Sequence, residues 1–311
     1  PAALLQRGGP GPRRAVATLL HGNEPSGIRA VQRWLASGRV PAGETLFLIG
    51  NVAAALEPPG FAFRHLPRER DLNRCFGFPG EDAQGAVAAG LLAALDRFRP
   101  DCLLDVHNTT GSGPPFGVTV ARGPAHEALV GRFSPRLVLT DLRLGALMEA
   151  GEGRCPTVTI ECGGAMDEGA DLVARQGLEA TLAAPDPRED PADLPVEVLD
   201  GPVRVELAAG RTVTYGEGPG AADVTVRADV TRLNFGVIGA DEALGWLGPR
   251  GLEALQVRTA DGRDVRDQVL RARGRRLHPA GPLRLFMATA DAVAAAGDCL
   301  FYAVPGDGGR F

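Results

Sequence analysis

The stretch Leu19-Leu20-His21-Gly22-Asn23-Glu24-Pro25-Ser26-Gly27 constrains the chain most, because an apolar run ends there and a helical pattern begins. Residues Ala15 to Leu20 are short, apolar and partly β-branched, as in a buried strand, while Ile28, Val31, Trp34 and Leu35 recur at helical spacing. Pro25 suits the first helical turn. In a tight strand-to-helix turn relaxed by Gly22, a His at the strand end and a Glu three residues later can face one point. Imidazole nitrogen plus carboxylate oxygen is a zinc-type ligand pair.

A His-x-x-Glu spacing recurs by chance, so a second site is needed to give it weight. Asp105-Val106-His107-Asn108-Thr109-Thr110 supplies one, placed just after the apolar run Cys102 to Val106. Two strand ends offering His21, Glu24 and His107 leave zinc's fourth position to water, the catalytic rather than the structural arrangement.

With 311 residues, 44% hydrophobic and 23% charged, the chain has room for two domains and a sizeable core. A formal net charge of -5 argues against a general nucleic-acid binder, and no apolar stretch reaches the length of a membrane span. A small-molecule substrate is the expected partner. Pro1 to Arg14 lacks the apolar centre of a signal peptide, and the first residue is not Met, so residues can precede it; the cytoplasm is the expected location. The five cysteines are odd in number and lack the close pairs of zinc knuckles or redox motifs, so they are read as reduced, mostly buried thiols. Cys162 has no neighbouring base that would make it a nucleophile. All 33 basic residues are Arg, which excludes a lysine Schiff base.

Along the chain, a helix is expected from about Ser26 to Leu35 and a second buried strand over Thr45 to Ile49. The Pro- and Arg-rich stretch from Pro58 to Gly80 reads as a long functional loop. Apolar positions return to helical spacing between Asp82 and Phe98, and strands follow at Cys102 to Val106, Leu137 to Leu139 and Thr157 to Ile160. A helix from about Asp171 to Leu182 closes this part. Strands alternating with helices imply a largely parallel or mixed sheet with its site beyond the strand ends, where His21, His107 and Glu161 would gather. Pro185, Pro187, Pro191 and Pro195 mark a linker, after which short alternating segments such as Val203 to Leu207 indicate a β-rich domain. The expected division is a catalytic domain over 1–190 and a β-rich domain over 196–311.

Hydrolysis at a single zinc needs a base and a substrate anchor besides the ligands. Glu161, at the end of an apolar strand, is suited to take a proton from the activated water. Asp71-Leu72-Asn73-Arg74 sets a guanidinium beside an amide that could grip a carboxylate, and Arg64 could hold a carbonyl oxygen. Arg68 and Arg70 read as solvated surface.

These motifs, His21-Gly-Asn-Glu24, Asp71-Leu-Asn73-Arg74, Asp105-x-His107-Asn108 and Thr159-Ile-Glu161 with Gly163, resemble in their order the succinylglutamate desuccinylase/aspartoacylase family, a branch of the zinc carboxypeptidase superfamily. The resemblance covers about residues 13 to 185. It implies a carboxypeptidase-A-like α/β/α sandwich, one zinc per chain on His21, Glu24 and His107, and Glu161 as general base. It also implies Asn73 and Arg74 on the substrate carboxylate and Arg64 on the carbonyl oxygen, with Arg68 as the rival, since many members keep this Arg closer to the Asp-Leu-Asn-Arg motif. Relatives use the β-rich domain to narrow the pocket and sometimes lend it a Tyr, for which Tyr215 and Tyr302 are available. The implied activity is deacylation of an N-acyl amino acid. A carboxypeptidase-like action on small peptides and an inactive metal- or amino-acid-binding relative are the alternatives. Substrate identity and oligomeric state are not legible in the sequence.

Overall fold

The computed structural model describes residues 1–189 and 195–311. Pro191 of the expected linker, and the expected domain end at 190, lie outside the described residues. Two compact units form, one from residues 1–109 and 115–197, the other from residues 110–114 and 198–311.

The first unit is built on β1 (Ala2–Thr18), α1 (Ser26–Ala36), β2 (Gly43–Ile49), α2 (Val52–Leu56), α3 (Ala83–Phe98), β3 (Cys102–Thr109), β4 (Phe116–Thr119), α4 (Pro124–Gly131), β5 (Arg136–Leu139), α5 (Leu147–Glu152), β6 (Thr157–Gly164) and α6 (Glu168–Ala183). With β7 (Glu197–Asp200) the strands form a seven-stranded sheet in the order β2-β1-β3-β6-β4-β5-β7. The pairs β1/β3 and β3/β6 are parallel and β6/β4 is antiparallel, so the sheet is mixed as expected. β3 and β6 are buried along their whole length, which is why they read as continuous apolar runs rather than alternating ones.

Helices cover both faces. Leu91 and Leu95 of α3 and Leu147 of α5 pack with Ala15, Ala17, Leu46, Leu48 and Leu103. On the other face, α1 approaches so closely that a Cβ at Gly27 would lie 2.1 Å from Thr18 Oγ1 and 3.1 Å from Val106 Cγ1, so only glycine fits there. This close approach brings the start of α1 over the ends of β1 and β3.

β1 is longer than its apolar half suggested. Arg14–Thr18 runs parallel to Thr45–Ile49, and Ala2–Gln6 pairs with the same stretch of β2 in reverse order. Arg14 stands at the junction, fully buried. Its guanidinium donates to the carbonyls of Thr181 (2.7 Å), Leu182 (3.0 Å) and Ala184 (2.9 Å). These lie at the C-terminal end of α6, where helical carbonyls lack partners and a cation is favoured. A buried charge is tolerable only with such complete pairing.

The second unit holds two five-stranded sheets. One consists of β9 (Val213–Gly216), β10 (Val224–Arg227), β12 (Gly245–Leu247), β14 (Leu270–Arg273) and β15 (Arg276–Pro279). The other consists of β8 (Val203–Leu207), β11 (Val237–Ile238), β13 (Leu255–Arg258), β16 (Leu283–Phe286) and β17 (Phe301–Pro305). Residues of both sheets, among them Val226, Leu247, Val205, Val257 and Phe301, share one apolar core. Residues 110–114, which no composition shift separates from their neighbours, belong with this unit; the Ser112 carbonyl accepts a 2.8 Å hydrogen bond from Asn234 Nδ2. Tyr215 lies on β9 and Tyr302 on β17, where its ring stacks on Phe286 with centroids 5.8 Å apart. No helix among the described residues is long and apolar enough to cross a membrane.

Candidate metal centre

His21 and Glu24 sit in the turn between β1 and α1, as the sequence indicated. The turn is tight: Leu19 has φ 58°, and a Cβ on Gly22 would meet Ala54 Cβ, Ala55 N and Phe63 O, each at 2.6 Å. Glu24 N donates back to His21 O at 3.2 Å, closing the turn. His107 arrives from the end of β3, the strand paired with β1.

The three side chains converge. His21 Nδ1 lies 2.8 Å from Glu24 Oε1, and His107 Nδ1 lies 2.7 Å from Glu24 Oε2. Ligand atoms of all three residues fall within 4.8 Å of one another, and all three are buried. The far side of each ring faces a carboxylate: His21 Nε2 is 3.0 Å from Asp71 Oδ1, and His107 Nε2 is 2.9 Å from Asp105 Oδ2. The first contact is a hydrogen bond. The second is an ion-pair contact out of line for one, which leaves both Asp105 oxygens without a hydrogen-bond donor among the described residues.

This geometry fits a metal ion. A carboxylate beside Nε2 favours the proton there and turns the Nδ1 lone pair inward. Two inward lone pairs then face the Glu24 oxygens at hydrogen-bond distance, an arrangement that needs either a second proton on each ring or a cation among them. The electrostatics of the chain alone agree. Burial opposes ionisation of Glu24, yet His21 and His107 hold its carboxyl below the usual range. Burial likewise opposes charging of His107, but Asp105 and Glu24 raise its pKa well above that of a free imidazole.

Glu161 lies opposite His107 in the register of β3 and β6. It is 8% exposed, its Oε2 is buried with no hydrogen-bond partner among the described residues, and burial pushes its pKa up to about 7. A buried carboxylate without its hydrogen bonds is costly, and such groups gather at functional sites.

The Arg-rich loop folds over the turn. Gly22 N donates to Arg64 O at 2.9 Å. Arg64 donates to Asp71 Oδ2 from Nε (3.0 Å) and Nη2 (2.9 Å), and its Nη1 is 3.5 Å from Glu24 Oε1. Arg68 is exposed, with φ 72°. Arg70 pairs with Asp82, the residue that caps α3 through Gly85 N, so its charge serves the helix end. Asn73 and Arg74 lie on a short 3₁₀ turn, Leu72–Arg74. Asn73 Oδ1 accepts from Leu147 N at 2.8 Å, which directs its amide nitrogen outward from that bond. Arg74 Nη1 donates to Asn73 O at 3.0 Å.

Asp71 is the partner that the sequence reading quoted without giving it a task. Besides Arg64 and His21, it accepts from Asn73 N at 2.8 Å, so one carboxylate holds a ring, a guanidinium and the 3₁₀ turn. Burial raises its pKa, but its contacts with His21, Arg64 and Arg74 bring it below the usual carboxylate range. Its place at the head of Asp71-Leu-Asn-Arg74 was the available signal. All five cysteines are unpaired and buried, and burial pushes the Cys162 thiol well up, which keeps it inert.

A mixed α/β sheet with a buried His-Glu-His group beyond its strand ends defines a protein able to hold a metal ion there. The comparisons with known proteins narrow this class: the model of the succinylglutamate desuccinylase/aspartoacylase catalytic domain matches residues 10–183, and the chain belongs to that family. It is 30% identical over 123 residues to a probable aspartoacylase of Nostoc sp., a stretch that spans 36% of this chain and 39% of that protein. Among solved structures it is similar to the product-bound ectoine utilization protein EutE of Ruegeria pomeroyi (17% identity, 97% of this chain and 88% of that chain covered, TM-score 0.61). A succinylglutamate desuccinylase/aspartoacylase of Rhodobacter sphaeroides gives 16%, 93%, 84% and 0.59, and murine aminoacylase 3 gives 17%, 95%, 95% and 0.58. At these identities the structural likeness is one of fold.

Proposed function

We propose that this protein is a zinc-dependent amidohydrolase that removes the acyl group from an N-acyl amino acid. The observation that carries the reading is the juxtaposition of the inward-facing His21, Glu24 and His107 atoms with the Glu161 carboxylate, whose Oε2 has no hydrogen-bond partner among the described residues. A zinc ion held by the three ligands would supply Lewis acidity, polarising the amide carbonyl and lowering the pKa of water to about 7. Glu161 then accepts the proton of the attacking water and passes it to the leaving nitrogen. Arg64, fixed by Asp71 beside Glu24, is the guanidinium placed to hold the carbonyl oxygen as it gains charge; its contact with Glu24 supports it over the exposed Arg68. Arg74 and the amide nitrogen of Asn73 bind the free α-carboxylate of the substrate.

The names of the relatives support an acylated amino acid as substrate. The test is turnover of a panel of N-acetyl, N-succinyl and longer N-acyl amino acids, with C-terminal dipeptides alongside, before and after chelation. Cleavage of acyl amino acids that is lost with chelator and restored by zinc supports the reading. Preferential cleavage of dipeptides would replace it with a carboxypeptidase.

A further inference from the structure

Asn108 follows His107 directly, is 2% exposed, and has no part in the chemistry above. Both halves of its amide are occupied. Oδ1 accepts from Ser26 N at 3.0 Å, and Nδ2 donates to Ser26 Oγ at 3.0 Å and to Gly163 O at 3.1 Å. Its backbone N donates to Glu24 Oε2 at 3.2 Å. Ser26 Oγ donates onward to Asp171 Oδ1 at 2.7 Å, which fixes the hydroxyl as an acceptor toward Asn108.

These bonds join three separate segments. Ser26 opens α1, two residues after the ligand Glu24. Gly163 lies on β6, two residues after Glu161. Asn108 itself extends β3 beyond the ligand His107. The β3/β6 register is regular as far as His107 and Glu161, then shifts so that Thr109 faces Gly164. Asn108 therefore stands opposite both Cys162 and Gly163, and Gly163 takes φ 109°, open to glycine. Extra residues of this kind re-aim a strand beside an active site. Here the amide of Asn108 ties down the irregular step immediately after Glu161.

We propose that Asn108 is a positioning residue that sets the Glu161 carboxylate and the Glu24 ligand in fixed relation to each other, an inference that rests on the function proposed above. The side chain must be an amide. A carboxylate at 108 would accept from Ser26 N but would press an oxygen against Gly163 O and lose the bond to Ser26 Oγ.

The test compares the parent with Asn108→Asp and Ser26→Ala, each loaded with Co²⁺ in place of zinc. Three quantities are read: the visible absorption of bound Co²⁺, thermal unfolding, and kcat and KM on the parent's best N-acyl amino acid. Asn108→Asp is expected to shift the Co²⁺ bands and lower kcat by about 10–100-fold, as loss of partners behind a metal ligand does, with KM little changed. Ser26→Ala removes one acceptor of the amide and is expected to move both readouts the same way by less. A purely structural role would lower the unfolding temperature and leave the Co²⁺ spectrum, kcat and KM of the folded protein at parent values, and that result overturns the proposal. Should Asn108→Asp fail to fold, parent-like kcat and bands in Ser26→Ala overturn it equally. A parent that binds no Co²⁺ defeats the proposed function and this inference together; a parent that binds and turns over while both variants match it defeats this inference alone.

Discussion

His107 and Glu161 occupy the same rung of adjacent parallel strands, one offering a ring nitrogen to the buried group and the other a carboxylate beside it. Paired residues on a parallel ladder project to the same side of the sheet. The spacing of His107 and Glu161, the proposed ligand and base, is thus set by backbone hydrogen bonds of the most buried part of the sheet rather than by a loop. Reacting groups gain most from such rigid placement.

Glu161→Gln keeps the shape of the side chain and removes its ability to accept a proton. We expect it to fold and to bind zinc as the parent does, with kcat lowered by about 10²–10⁴-fold, the usual cost of losing a general base. Metal content measured beside kcat separates this from a loss of ligand geometry. A folded variant with parent-like kcat would remove Glu161 from the reaction.

Arg64 and Arg68 are distinguished by their surroundings. Arg64 is bound on two nitrogens by Asp71 and reaches toward Glu24, whereas Arg68 points from an exposed loop position. Removing one donor to a developing oxyanion costs about 10²–10³-fold in kcat. We expect that loss from Arg64→Ala, and an effect of less than about threefold from Arg68→Ala. The reverse ranking would hand the carbonyl to Arg68.

Substrate anchoring by Arg74 predicts coupling between the protein and the substrate's carboxylate. Converting that carboxylate to an amide should cost about 2–5 kcal/mol in kcat/KM, the range for truncating one partner of a desolvated charge pair. Arg74→Ala should lose a similar amount on the free acid and little more on the blocked substrate. Equal turnover of free and blocked substrates by the parent would show that no carboxylate is read.

The His-Glu-His group was legible because His21 and His107 each lie where an apolar run stops, with Glu24 three residues after the first, and the family motifs led to Glu161 and Arg64 as candidates. The loop's charges were divided in the sequence between Arg64 for the site and Arg68 and Arg70 for the surface, but their partners were not legible: Arg70 holds a helix cap, while Arg64 is held by Asp71, and both are arginines among prolines. Nor could β1 be traced back to Ala2, since its first half pairs on an exposed edge and carries no continuous apolar run. The short helices α2, α4 and α5 and the four-residue β4 are too brief for periodicity to distinguish. The burial of Arg14 reverses the usual expectation for a charged residue, and only the five carbonyls around its guanidinium explain it.

Metal stoichiometry tests the central claim most directly. Purified protein, stripped with a chelator and dialysed against zinc, should take up one zinc per chain and regain turnover in proportion. His107→Ala should lose tight binding, because two ligands remain where three are needed. A parent protein that hydrolyses acyl amino acids at full rate without metal, or a His107→Ala variant that binds zinc as tightly as the parent, would contradict the assignment of this site.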